Sequence, residues 1–364
     1  MRRLIKQAQK WEGFTRPNPM VAAAVVRDNK VIATGAHKQA GQSHAEAIAL
    51  KKAGDQAKGA TLYVTLEPCT HTGKTPPCTD AIIAAGIREV IYAVEDPTKK
   101  VRQNPADDLL KKAGIIVKKG LCREEAILLN DVFFKNARTS LPFVTLKVGM
   151  SLDGKIALPS NESKYITDVT SRVHAHRLRG QASAIIVGRQ TVMIDNPLLD
   201  TRLAPGYPAP TKIILDSTLQ LSPASKLFEG KTPVMIITGP DIPKSAQDCF
   251  KNKADIIQVS HETSGNLAWH EILESLYTKG ITHVLIEGGS QVYTTALMQD
   301  IVDKVVVYIA PKILMGAESL SPFGGPGVPR LLDAKTLCHV KSRFLNPDTM
   351  ISGYLHDPLL DFEH

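Results

Sequence analysis

His44, Glu46, Cys69 and Cys78 are the residues of this 364-residue chain whose types and spacing most clearly add up to chemistry. One imidazole and two thiolates make three ligands for a zinc ion, and a catalytic zinc keeps its fourth position for water. Bound there, the water loses a proton near neutral pH and becomes a nucleophile. Glu46 stands two positions past His44, outside the ligand set, where a carboxylate can carry the water proton to a departing amine. Hydrolytic deamination, with one zinc per chain, is the reaction such a set serves. The nucleobase-deaminase signature is H-x-E followed by P-C-x-x-C. Here Pro68-Cys69 is followed by eight residues before Cys78, so the standard spacing fails. Taken singly, each residue also reads as a surface histidine or a small buried thiol. Their coincidence with Glu46 and Pro68 favours the metal. Cys122, Cys249 and Cys338 have no partner pattern and read as structural.

The elements around these residues alternate. Met20 to Val26 and Lys30 to Thr34 predict a hairpin turning at Arg27, Asp28 and Asn29. His44 to Ala53 carries helical spacing and stops at Gly54, and Thr61 to Leu66 reads as a strand. Helix Thr79 to Ala85, strand Glu89 to Val94, helix Asp107 to Ala113 and strand Ile115 to Lys118 follow, then an amphipathic helix over Arg123 to Ala137. Residues Arg138 to Pro142 lack periodicity and place a domain boundary. Beyond it, strands are predicted at Phe143 to Val148, Ala184 to Val187, Lys212 to Leu215, Val234 to Thr238, His283 to Ile286 and Lys304 to Ile309. Helices are predicted at Val169 to Arg179, Leu267 to Lys279 and Gln291 to Leu297. The fold class is α/β, in two domains, 1–140 and 141–364.

Composition narrows the setting. Lys plus Arg total 44 against 36 Asp plus Glu, a formal charge of +8 that suits anionic ligands as well as nucleic acid. A 43% hydrophobic share with 22% charged residues argues against disorder and fibres. The apolar run Met20 to Val26 stops at Arg27, far short of a membrane span. Polar residues in Met1 to Lys10 argue against a signal peptide, and five cysteines, an odd number, argue against a disulfide framework. A cytoplasmic location is expected, with no membrane partner.

His44-Ala45-Glu46, together with the run Glu67-Pro68-Cys69-Thr70-His71-Thr72-Gly73-Lys74-Thr75-Pro76-Pro77-Cys78, resembles the bifunctional riboflavin-biosynthesis deaminase/reductases, whose zinc site carries this long loop between its cysteines. The resemblance covers nearly the whole chain. It implies a cytidine-deaminase-like three-layer domain followed by a dihydrofolate-reductase-like domain. It also implies the reaction: zinc-activated water replaces the 2-amino group of a diaminopyrimidinone bearing a ribosylamino 5′-phosphate, and NADPH then reduces the ribosyl unit to a ribityl chain. Asn18 matches the family's pyrimidine contact, while His71 and Lys74 are placed to meet a phosphate or ring oxygen. One stretch departs from the family pattern, Thr98 to Pro105, where Lys99, Lys100 and Arg102 read as a solvated face.

In the second half, Lys147 to Lys155 resembles the opening strand and turn of the family's reductase. By that match Gly149, Tyr165, Thr191, Asp195 and Ser217 fall at NADPH-contacting positions, with Tyr165 where Trp is common. Ser163, Arg179, Leu199, Arg202 and Glu287 fall at substrate positions, with Lys147 a further candidate; Arg179 and Arg202 suit a ribose phosphate. The turn at Gly288-Gly289-Ser290 leads into a helix whose amides suit a cofactor phosphate, so Gly289, Ser290, Gln291, Val292, Tyr293, Thr294 and Thr295 join the cofactor set. A small phosphorylated pyrimidine is the expected partner, not nucleic acid, and a homo-oligomer is expected. Two other classes compete: a tRNA-type nucleic-acid deaminase with an accessory domain, which leaves the second half unexplained, and a structural zinc module, which needs a fourth ligand.

Overall fold

The computed structural model describes residues 1–73 and 76–360. Its backbone contacts divide the chain into two compact units, Met1–Ser140 with the tail from Pro358, and Leu141–Asp357. The sequence pattern runs the second domain on to 364; residues 358–360 instead join the first unit, where Leu359 packs with Leu66, Val94 and Ile127.

In the first unit, β1 (Ala22–Arg27), β2 (Lys30–Ala36), β3 (Thr61–Val64), β4 (Glu89–Tyr92) and β5 (Ile116–Lys119) form one sheet in the order β2-β1-β3-β4-β5. β1 is antiparallel to β2 and β3, and β3, β4 and β5 run parallel. The hairpin turns at Asp28 and Asn29, both with positive φ (49° and 58°), which these short polar side chains tolerate. Alternation along β1 sends Ala23 and Val25 to a face covered by Ala49, Leu50, Ile82 and Leu110, and Ala22 and Ala24 to a face covered by Leu4, Ala8 and Leu129. Helices on both faces make three layers.

Helix Ala45–Ala53 lies unusually close to β2. A side chain at Gly35 would place its Cβ 2.2 Å from the Ala45 carbonyl oxygen. That glycine lets the helix start, with His44 and Glu46, press onto the sheet. The single helix predicted over 123–137 is divided into Arg123–Leu129 and Asp131–Thr139 at Asn130. Its buried amide pairs with the backbone of Met20, accepting from N at 2.8 Å and donating to O at 3.0 Å. The departing stretch after Asp96 holds a short helix, Lys99–Arg102, and Lys99, Lys100 and Arg102 are exposed.

In the second unit, β6 (Phe143–Ser151), β7 (Ala184–Gly188), β8 (Thr211–Leu215), β9 (Val234–Thr238), β10 (Asp255–Gln258), β11 (His283–Ile286), β12 (Lys304–Ala310), β13 (Cys338–Phe344) and β14 (Thr349–Tyr354) form a sheet ordered β10-β9-β8-β7-β11-β6-β12-β14-β13. It is parallel as far as β12, and β14 and β13 are added antiparallel. Helices Trp269–Thr278 and Ser290–Met298 cover one face with Trp269, Leu273 and Ala296. Val192, Leu227 and Phe250 cover the other. β10, β13 and β14 lie outside the predicted strands.

Candidate active sites

His44 caps the N-terminus of helix Ala45–Ala53, Cys78 opens helix Cys78–Ala84, and Cys69 follows β3. The carbonyl of Cys69 accepts from the backbone N and the hydroxyl of Thr79, so the long loop between the cysteines closes on itself at the metal ligands. The three donor atoms lie within 4.8 Å of one another. His44 Nδ1 is 3.3 Å from Cys78 Sγ and 3.5 Å from Cys69 Sγ. Tetrahedral zinc with ordinary Zn–S and Zn–N bonds needs an N to S edge of about 3.6 Å, so the donor set fits that ion and Nδ1 is the ligand nitrogen. The backbone N of Cys78 donates to Cys69 Sγ at 3.3 Å. Such bonds from Cys78, with His44 alongside, favour the Cys69 thiolate and hold its pKa down to about 4, whereas the facing Cys69 sulfur pushes the Cys78 thiol up.

Glu46 is 3% exposed and stands outside this donor group. Burial, helped by the charge of Cys69, raises its carboxyl to about 6. A group that both holds and releases a proton near neutral pH is what a shuttle between water and amine requires.

Asn18 is tied to the centre through a residue that motif reading misses. His37, 3% exposed, sets its ring edge-on to His44 at 5.4 Å. The Asn18 amide nitrogen donates to His37 Nε2 at 3.1 Å, so the ring proton sits on Nδ1, 3.2 Å from the Ser43 carbonyl. Burial also lowers the His37 pKa, in keeping with a neutral ring. Asn18 is left to present its amide oxygen. On the other flank, Thr70 Oγ1, His71 Nδ1 and Thr98 Oγ1 are buried without a protein partner. Asp96 accepts from Thr98 N at 2.8 Å, and burial raises its carboxyl pKa. Buried polar atoms of this kind call for a ligand or water. Glu67 secures the segment between them, accepting from the backbone N of Asp96 at 3.0 Å and of Ala106 at 2.9 Å. Lys74 lies outside the described residues.

The reductase candidates gather at the carboxyl ends of the parallel strands, the usual place for ligands in such sheets. Arg179 donates to Glu287 from Nε (2.9 Å) and from an NH2 group (2.8 Å), and its remaining NH2 group donates to the Asp200 carbonyl. Lys147 Nζ stands 3.7 Å from the same carboxylate. Burial works to raise the Glu287 pKa, but Arg179 and Lys147 overcome it and hold it at about 2. Arg179 is thus committed within the protein, while Arg202 is half exposed and bonded to Asp200 at 2.6 Å. Leu199 is buried in a left-handed conformation, φ 52°.

Ser163 Oγ lies 3.5 Å from Asp195 Oδ1, and Lys164 also reaches Asp195, so these candidates form one group. Tyr165 is 59% exposed with the Arg172 guanidinium 4.1 Å from its ring centre. Gly149 faces Thr167, and Thr191 packs on the glycine turn, where a Cβ on Gly288 would be 3.0 Å from Thr191 Oγ1. Gly289, φ 82°, caps helix Ser290–Met298. Ser217 accepts through its carbonyl from Gly239 N. Within the cofactor stretch the side chains divide between the interior and the surface. Val292 and Tyr293 are core residues, the Tyr293 hydroxyl bonds the Lys147 carbonyl, and Thr295 bonds Trp269, so their side chains are turned to the protein interior. Ser290, Gln291 and Thr294 are not in that core.

Cys338 also departs from its reading as partnerless. It lies with His339 and Asp357 in a group whose donor atoms are within 4.8 Å, and His339 Nε2 and Asp357 Oδ1 are 2.8 Å apart.

Two family models match the chain. Residues 1–94 match the cytidine and deoxycytidylate deaminase zinc-binding region, and residues 142–349 match the RibD C-terminal domain. The riboflavin biosynthesis protein RibD of Aquifex aeolicus is 42% identical over 325 residues, 89% of each chain. The chain belongs to the RibD family. RibD of Bacillus amyloliquefaciens is 38% identical over 98% of this chain and 96% of its own. Among solved structures, Acinetobacter baumannii RibD superposes with a TM-score of 0.86 at 32% identity, covering 97% of both chains. The Thermotoga maritima diaminohydroxyphosphoribosylaminopyrimidine deaminase/5-amino-6-(5-phosphoribosylamino)uracil reductase gives 0.81 at 34% identity, again over 97% of both. The chain is accordingly a bifunctional enzyme of riboflavin biosynthesis, with a zinc-binding deaminase domain and a reductase domain of the NADPH-dependent type. The tRNA-type alternative is not favoured, because the RibD C-terminal match accounts for the second half. Among the described residues no helix is long and apolar enough to cross a membrane.

Proposed function

We propose that the first unit deaminates a diaminopyrimidinone bearing a ribosylamino 5′-phosphate and that the second reduces its ribosyl unit to a ribityl chain. The observation that carries the reading is a zinc-fitting donor trio beside a buried proton-carrying carboxylate, in one chain with a RibD reductase domain. His44, Cys69 and Cys78 hold the zinc, which when bound supplies an acidified water. Glu46 takes the water proton and returns it to the leaving amine. The Asn18 amide oxygen accepts from a ring N–H, with His37 fixing the amide's orientation. His71, Thr70 and Thr98 offer their buried polar atoms to the rest of the ligand, and Lys74 meets its phosphate.

In the second unit NADPH supplies the hydride, and the protein's task is placement. Gly149, Tyr165, Thr191, Asp195 and Ser217 line the cofactor position, with the backbone of Gly289, Ser290, Gln291, Val292, Tyr293, Thr294 and Thr295 at the helix start for a phosphate. Ser163, Lys147, Leu199 and Arg202 meet the substrate; Arg179 and Glu287 brace one another beneath it. The partner is a small phosphorylated pyrimidine, with no nucleic acid or membrane required. A homo-oligomer is part of this proposal, and five free cysteines suit the reducing cytoplasm.

The test is product analysis. Purified protein with the diaminopyrimidinone ribosyl phosphate should exchange one amine for a hydroxyl without NADPH, and add two hydrogens when NADPH is present. Unchanged substrate under both conditions would reject the reading.

A further inference from the structure

Helix Val169–Gln181 has two working faces. Ala175 and Leu178 pack it on Val306, Tyr308 and Met350 of the sheet. His176, Arg179 and Gly180, at spacings of three and four, form another face. Each of the three engages the loop 199–207. His176 Nδ1 accepts from the backbone N of Leu203 at 3.4 Å. Arg179 donates to the Asp200 carbonyl at 3.0 Å. At Gly180 any side chain would strike Tyr207, whose Cβ lies 2.4 Å from where a glycine Cβ would stand.

The loop also braces itself. Asp200 Oδ1 accepts from both the backbone N and the guanidinium of Arg202, and Thr201 Oγ1 donates to the Tyr207 carbonyl. The geometry points to His176 as a positioning residue of the reductase: through the Leu203 amide it holds the loop at the height where Arg202 meets the substrate's phosphate. This rests on the assignment of Leu199 and Arg202 to substrate under the function proposed above.

Accepting at Nδ1 requires the imidazole to be neutral, with its proton on Nε2. His176 is 5% exposed, and burial together with the nearby Arg179 and Arg202 lowers its pKa to about 4, against the opposing pull of Glu287 and Asp200. A protonated ring would face the Leu203 N–H donor to donor. Replacing the ring by an apolar one of like size leaves that N–H without its acceptor, and the loop is free to settle elsewhere.

The experiment compares steady-state reduction of pre-deaminated substrate by full-length His176→Phe, His176→Asn and Arg202→Ala. Asparagine places an acceptor oxygen near the position of Nδ1, and phenylalanine keeps the bulk alone. For His176→Phe, KM for the pyrimidine substrate should rise about tenfold. Its kcat, its KM for NADPH and its deamination should stay near those of the parent chain. His176→Asn should recover most of the loss. An unchanged KM in His176→Phe, alongside a raised KM in Arg202→Ala, would overturn the role of His176 and leave the substrate assignment standing. A flat result for Arg202→Ala would remove the loop from the substrate site, and the inference with it. Equal losses in His176→Phe and His176→Asn, accompanied by a lower unfolding temperature, would mean only that the ring fills space, and would overturn it as well.

Discussion

Arg179 and Glu287 form a two-pronged ion pair inside the reductase unit, with Nε on Oε1 at 2.9 Å and NH2 on Oε2 at 2.8 Å. Side-chain exposure is 15% for the arginine and 4% for the glutamate. Coming from a helix and from the residue after β11, the pair joins elements 108 positions apart in the chain. Its geometry is the parallel fork that guanidinium and carboxylate favour. A buried pair of this kind is costly to break one partner at a time, because the surviving charge loses its two-pronged partner and Lys147, 3.7 Å from Glu287, replaces it only in part.

Arg179→Met should therefore destabilise the second unit by about 3–5 kcal/mol, and Arg179→Met/Glu287→Gln should recover a large part of it. Trp269 is buried in that unit, so its fluorescence in a Trp11→Phe background reports denaturant unfolding there. Equal stability of single and double variants would mean that the pair is not electrostatically matched.

The pH dependence follows from the same carboxylate. In the parent chain Glu287 is held at about 2 against an ordinary carboxyl value of 4.5, so its stabilising contribution is full above 4.5 and is lost as pH falls toward 2. Without Arg179, Lys147 alone opposes burial and the carboxyl rises from that value, so the penalty of Arg179→Met is greatest near neutral pH and is relieved by protonation. The stability gap between the two proteins should narrow steadily on acidification. A gap independent of pH between 7 and 3 would show that Glu287 does not titrate as its surroundings require.

Glu46→Gln should keep its zinc and lose deamination by about 10²–10⁴-fold, since an amide cannot carry the proton. Metal analysis and amine release on one preparation check both halves of the statement. Deamination within a few-fold of the parent would assign the proton to another group.

Removing the metal should divide the two activities. Cys69→Ser/Cys78→Ser, or prolonged chelation, should abolish zinc binding and deamination while NADPH oxidation with pre-deaminated substrate continues, because the zinc donors all belong to the first unit. Full zinc content in the double variant would exclude these ligands.

Arg202→Ala should act the opposite way. Losing a charge-assisted contact to the phosphate should lower reductase efficiency at least about tenfold, with deamination near the parent rate. Parallel loss of both activities in a folded protein would show that the two units are coupled in function.

Local chemistry is why so much of the deaminase site was legible in the chain alone. His44, Glu46 and the glycine that ends their helix are close neighbours in sequence, and Gly54, Gly86 and Gly114 all take the positive φ that stops an element cleanly. The Asp28-Asn29 turn and the alternation of β1 are equally local signals. The Asn130 break is not, because the amide that interrupts the helix answers the backbone of Met20, 110 positions away. Nor is the union of Glu67 with Ala106, of His37 with Asn18, or of Cys338 with His339 and Asp357, since each needs segments that only the folded sheet brings side by side. β13 went unread for another reason: at the edge of its sheet, five of its seven residues are exposed, and a strand wetted on both faces has no need of apolar alternation. The same holds for the commitment of Arg179. An arginine in sequence is equally a phosphate ligand or a structural cation, and only the fold shows the carboxylate set opposite it.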